Sequence, residues 1–192
     1  MGISKPLIVE ASFQILSENG LNGLSMRKIA NKLQISAPSL YFHVKDKQEL
    51  YSLIAEHISN AILTRVSHED TLQAICAVVR EEYYSINDSP QIFIITAPTS
   101  ERRVELINLF FEKLRELGVS NEYLSVSGNL LNNYILSFVT DEQLWKNNEL
   151  APVPLFTLSQ VVDYDDQFNY GLGVIIRGLA NTDTTNIHFV KP

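Results

Sequence analysis

The sequence predicts an all-α fold, with a small N-terminal three-helix unit followed by a larger helical C-terminal domain. Apolar residues recur at three- and four-residue steps through nearly every segment, the period of one helix face. Two short amphipathic segments near the N-terminus are joined by a connection too short for anything but a sharp helix-to-helix turn. The β-branched run QIFIIT (91–96) would pass as a buried strand on propensity, yet a chain without other strand signals gives it no partner, so it is expected as a short buried helix.

Taken in order, residues 5–19 carry the stripe Ile8, Ala11, Ile15 and Leu16, with Asn19-Gly20 as the stop and Leu21-Asn22-Gly23 as a turn. In SMRKIANKL the apolar residues are Met26, Ile29, Ala30 and Leu33, and Ser25 stands ready as N-cap. Gln34-Ile35-Ser36 is the turn, with Ile35 expected as a buried plug, Ser36 as the next cap and Pro38 in the first turn of the helix APSLYFH. Asp46 with Glu49 gives a capping-box-like start to a linker helix reaching about Arg65, striped by Leu50, Leu53, Ile54, His57, Ile58 and Ile62. His57 is expected as a half-buried packing residue. Further helices are expected at 71–86, 90–96, 100–116, 122–145 and 163–180, with a loop at 147–154 and a mobile polar tail at 182–192. The division that follows is 1–46 for the N-terminal helix-turn-helix unit, 47–65 for the linker helix, 66–181 for the larger helical domain, and 182–192 for the tail.

Composition narrows the function. The chain of 192 residues has a net charge of −7, yet from Leu24 to Lys47 it holds Arg27, Lys28, Lys32, Lys45 and Lys47 against Asp46 alone. Residues 1–60 carry six basic and five acidic side chains, and the remaining 132 carry nine and seventeen. A basic island on an acidic protein is suited to phosphates, whose neutralisation releases condensed counterions. One cysteine, Cys76, excludes an internal disulfide framework and fits a cytoplasmic, reducing compartment. No apolar run has the length of a membrane span, and MGISKPLIVEA lacks the basic-then-apolar build of a signal peptide. His43, His57, His68 and His188 sit at no metal-ligand spacing and no glycine-rich phosphate loop occurs, so neither catalytic residues, nor a metal, nor a cofactor is expected. Asp163, Asp165 and Asp166 read as helix-start charge.

The stretch LSMRKIANKLQISAPSLYFHVKDKQEL (24–50) resembles the N-terminal domain of the tetracycline-repressor (TetR) family of bacterial transcriptional regulators. The segments VTDEQ and FNYGLGVIIRGL resemble the end of that family's long dimer helix and its last helix. The resemblance implies a double-stranded DNA operator as partner, with Ser25, Arg27, Ala37, Pro38, Ser39, Tyr41, Phe42, His43 and Lys47 at the DNA surface. One departure is Gln34, at a turn position where such repressors often carry glycine; a left-handed backbone there would cost about 1 kcal/mol.

The helices around residues 124–145 and 164–180 combine small residues with Leu, Ile and Val on more than one face, and so need partners on two sides. A homodimer through Gly128, Leu131, Ile135, Gly171, Ile175 and Gly178 would supply them. Tetracycline repressors hold a drug–magnesium chelate with two histidines and a carboxylate lent by the partner. Asp141 or Glu142 could be that carboxylate, but a gap-free reading puts Leu63 at the first histidine position and Phe93 or a neighbour at the second, and Ile75, Val79 and Leu109 where polar drug contacts would be. Such side chains bring no lone pair for a metal. The expected pocket is therefore lined by Val79, Tyr83, Phe93, Phe110, Tyr134 and Phe138 and takes an apolar or aromatic effector without metal. Two classes stay open: a DNA-binding, ligand-responsive regulator of the repressor kind, and an α-helical small-molecule-binding protein or enzyme whose helix-turn-helix is degenerate.

Overall fold

The computed structural model describes residues 2–146 and 163–181; the loop expected at 147–154 and the tail at 182–192 lie outside the described residues. Among the described residues every regular element is a helix, and the strand-like segment with no partner falls in one, Ser89–Ile95, as expected.

The N-terminal unit is built by hydroxyl caps. α1 (Lys5–Gly23) buries Ile8, Val9, Ala11, Ser12, Ile15 and Leu16. Its regular run ends at Gly20, whose φ of 62° and ψ of −175° break the helix, and residues 21–23 add a further helical turn where a plain turn was expected. α2 (Met26–Lys32) is capped by Ser25 and α3 (Ala37–Tyr41) by Ser36, whose hydroxyl accepts from the Ser39 N–H at 3.2 Å. Between them Gln34 is left-handed, with φ of 54°. Ile35 is half-buried rather than a buried plug.

α4 (Lys47–Arg65) begins at Asp46, whose carboxylate accepts from the Glu49 N–H at 2.8 Å. The return bond of the capping box goes one residue further out, from the Lys45 N–H to the Glu49 carboxylate at 2.8 Å. The helix packs on α1 and then, with Leu50, Ile54, Ile58 and Ile62 fully buried, on α5 (Leu72–Ser85), α6 (Ser89–Ile95) and α7 (Glu101–Glu116). His57 is exposed rather than half-buried: it faces out from α4 and meets the Phe13 ring edge-on at 5.3 Å.

A short 3-10 turn (Asn121–Tyr123) leads into α8 (Leu124–Lys146), which packs on α5, α7 and α9 (Tyr164–Asn181). Two glycines allow close approach within the chain. A Cβ at Gly171 would stand 2.3 Å from the Tyr134 hydroxyl, and one at Gly128 3.1 Å from the Phe111 ring. The two units are stitched together around α6. The Asp88 carboxylate, on a left-handed residue, accepts from the Leu21 N–H at 2.6 Å, and the Gln48 amide donates to the Ile95 carbonyl at 3.0 Å. Gln143 of α8 completes the stitch, accepting from the Asp88 N–H and donating to the carbonyls of Tyr83 and Ile86.

Candidate DNA interface and effector cavity

The helix-turn-helix presents a surface that the fold leaves bare. Arg27 on α2, Ala37, Pro38 and Tyr41 on α3, and Phe42 and Lys47 beyond it are all exposed, while Ser25, Ser39 and His43 are half-buried. Leu40 and Val44 face inward and are fully buried, which fixes the orientation of α3. Phe42 is 90% exposed, an unusual place for a phenyl ring unless something covers it. The basic island is smaller than the sequence count suggests. Lys32 is held by Glu18 at 2.8 Å and Lys28 donates to Asn19 at 2.6 Å, both on α1. Among the described residues Arg27, Lys45 and Lys47 enter no ion pair, and Lys47 lies 5.3 Å over the Tyr51 ring. Ser25 is spent as a cap, and the Ser39 hydroxyl shares a 2.8 Å bond with that of Ser36.

In the C-terminal unit, α4 to α8 enclose a cavity of about 340 Å³, partly open to solvent, within the size range of small-molecule sites. Of the residues expected there, Val79, Tyr83, Phe93 and Phe110 line it. Tyr134 and Phe138 do not. They form a separate aromatic cluster with Phe168, Tyr134 lying 5.6 Å from Phe168 and donating its hydroxyl to the Phe168 carbonyl at 2.9 Å. The reason is α9: its N-terminal half occupies the side of α8 on which both residues stand.

The same cluster holds Arg80, whose guanidinium stacks 4.9 Å over Phe168 and 5.2 Å over Phe138. It donates twice to Glu142, at 2.6 and 3.0 Å, and once to Asp165 at 2.7 Å. Burial alone would pull its pKa down, but the hydrogen bonds and charges of Glu142 and Asp165 outweigh that and hold it above the ordinary arginine value. Glu142 is therefore committed within its own chain and is no candidate for lending to a partner. Asp141 remains exposed.

The expected dimer residues also need correction. Leu131 and Ile135 are at most 1% exposed in the single chain and so serve packing inside one protomer, while Gly128, against Phe111, and Gly171, against Tyr134, are half-buried. Ile175 is half-buried and Gly178 exposed. The apolar side chains left bare on α8 and α9 are instead Val126, Leu130, Trp145, Tyr170 and Val174. Helical period explains the error: Leu130 and Leu131 are 100° apart on the helix, and apolarity alone does not say which of them the protomer consumes.

Sequence reasoning missed Arg103, one of the residues that line the cavity. The signal was present, since Arg103 sits in register with Leu106, Phe110 and Lys113 on the inner stripe of α7, and a charge on an apolar stripe has to be satisfied from within. Ser59, Pro98, Leu106, Ile107, Phe111, Ser125, Asn129 and Asn132 complete the lining with Gly128 and Ile135. Among the described residues no group of three or more His, Cys, Asp or Glu side chains could hold a metal ion, and no helix is long and apolar enough to cross a membrane. Cys76 is fully buried, which pushes its thiol up to about 12.

The chain is similar to known regulatory proteins along most of its length. Residues 8–54 match the family model described as bacterial regulatory proteins, tetR family. The tetracycline repressor protein class E of Escherichia coli is 27% identical over 90% of this chain and 89% of its own length. The crystal structure of Mycobacterium smegmatis BioQ is 25% identical, with a TM-score of 0.78 over 93% of this chain and 98% of that one. The Streptomyces coelicolor TetR family protein ActR in complex with actinorhodin is 24% identical, with a TM-score of 0.75 over 93% and 97%.

Proposed function

We propose, starting from the fact that the chain belongs to the tetR family of bacterial regulatory proteins and is a DNA-binding transcriptional regulator, that it acts as a repressor released from a palindromic operator by a small molecule. Its relatives are transcriptional regulators, and it works by binding rather than by turnover. The observation that carries the DNA reading is the bare face of the helix-turn-helix: Phe42 uncovered, with the side chains of Arg27, Lys45 and Lys47 in no ion pair among the described residues. In the proposed division, residues 1–46 read DNA, α4 links, and residues 66–181 bind effector and dimerise. Arg27 and Ser39 reach base edges or phosphates, Ala37 and Pro38 pack on thymine methyls, and Tyr41, His43 and Lys47 take phosphates.

A palindrome requires two copies, because half-sites repeat about every 34 Å and one motif makes too few contacts for specificity. The bare apolar side chains of α8 and α9 support a homodimer through those helices. The effector is an apolar or aromatic molecule bound without metal, because the cavity offers no imidazole among its lining residues.

The test is fluorescence anisotropy with labelled duplex from the region upstream of the coding sequence. Binding of two chains per inverted repeat is expected, with no comparable affinity for a scrambled duplex. A monomer at micromolar concentration by sedimentation, or equal affinity for both duplexes, would overturn the repressor reading. Thermal shifts with tetracycline plus magnesium, and separately with neutral hydrophobic compounds, check the effector class; stabilisation by the chelate alone would refute it.

A further inference from the structure

We propose that the effector is an organic acid, an apolar or aromatic body carrying a carboxylate that pairs with Arg103; this rests on the effector-cavity reading above and names the ligand class for that cavity. Arg103 is only 8% exposed, yet among the described residues it enters no ion pair. The other enclosed cations differ in this respect: half-buried Arg80 has Glu142 and Asp165, and buried Lys113, on the same stripe of α7, has Glu116 at 3.0 Å. What Arg103 does have is neutral. Nη1 donates to the Thr96 hydroxyl at 2.7 Å and to the Thr96 and Ala97 carbonyls at 3.1 Å, Nη2 donates to the Phe93 carbonyl at 3.4 Å, and the guanidinium lies 4.8 Å over the Phe93 ring.

These contacts explain how the side chain is held at the end of α6 but put no carboxylate in an ion pair with its positive charge among the described residues. An arginine stays protonated in such a place. Burial is the largest influence on it and pulls its pKa below the ordinary arginine value, the direction expected of a cation that lacks an anion. Glu56 is the carboxylate whose charge reaches it, but that group accepts from the Arg102 N–H at 3.0 Å, outside the cavity lining. A buried fork of N–H donors beside Phe93, Phe110 and Leu106 matches a ligand with a planar carboxylate on an apolar frame. Asn129 and Asn132, exposed on α8, add neutral polar groups to the lining.

The experiment uses the purified full-length protein and Nile red, a neutral apolar fluorophore, as reporter of the cavity. Matched pairs of aromatic carboxylic acids and their primary amides, beginning with 1-naphthylacetic acid and 1-naphthylacetamide, then compete with it at pH 7.5. The acids, ionised well above their pKa of about 4, are expected to displace the dye about tenfold or more better than the amides. Arg103→Met should abolish that preference, acid and amide then displacing Nile red equally. Arg103→Gln, which keeps a donor for the Thr96 and Ala97 carbonyls, serves if Arg103→Met melts early by circular dichroism. If Nile red binds and acids and amides compete equally, or not at all, the organic-acid proposal fails and the cavity reading stands. Retention of the preference in the folded variant likewise overturns the role of Arg103. If neither dye nor any acid binds, the cavity reading itself fails.

Discussion

The helix-turn-helix face and the effector cavity solve opposite problems. On the first, the functional side chains are those the fold does not use: Leu40 and Val44 anchor α3 from beneath while Tyr41, Phe42 and Lys47 stay outside. In the second, function depends on what the packed faces of α4 to α8 fail to fill, and on one cation that enters no ion pair among the described residues. An outward face is built by local rules of capping and period. A cavity is a difference between large packed volumes, so single residues such as Gly128 or Ile135 change meaning with the position of a neighbouring helix.

The sharpest way to break this comparison is on α8. Leu131→Asp places an unpaired charge at a fully buried site and should cost at least about 3 kcal/mol in urea denaturation, or prevent folding. Leu130→Asp, one residue away and 48% exposed, should leave the protomer folded and shift the sedimentation equilibrium toward monomer. Equal destabilisation by both would mean that the assignment of faces is mistaken. The next largest effect is at Arg80. Arg80→Met strands Glu142, whose side chain is 10% exposed, and should lower stability by about 3 kcal/mol with α9 loosening first, visible as faster amide exchange at residues 164–172.

On the DNA side, Lys47→Ala should leave the melting temperature nearly unchanged while weakening binding about evenly across sequences and lowering the salt slope by roughly one unit. An unchanged slope in anisotropy titrations would remove Lys47 from the phosphate contacts. The smallest effect is at the turn. Gln34→Gly relieves a left-handed non-glycine residue at φ of 54° and should add about 1 kcal/mol to stability, read from the same urea curves. A loss of stability instead would show that the Gln34 side chain contributes more than its backbone costs.

The sequence by itself determined the elements and the character of the N-terminal face. Ser25, Ser36 and Asp46 are caps in the structure as in the pattern, and α5 to α9 begin and end within about two residues of their expected bounds, because capping and period are local properties. Tertiary structure decided everything that depends on which apolar face meets which. It took Leu131 and Ile135 into the protomer, put α9 over Tyr134 and Phe138, spent Lys28 and Lys32 on α1, and set Arg103 in a cavity with no carboxylate among its described lining residues. A helix with apolar residues on two sides specifies that both will be covered, but the identity of the cover comes from distant segments, and no period within one helix encodes it.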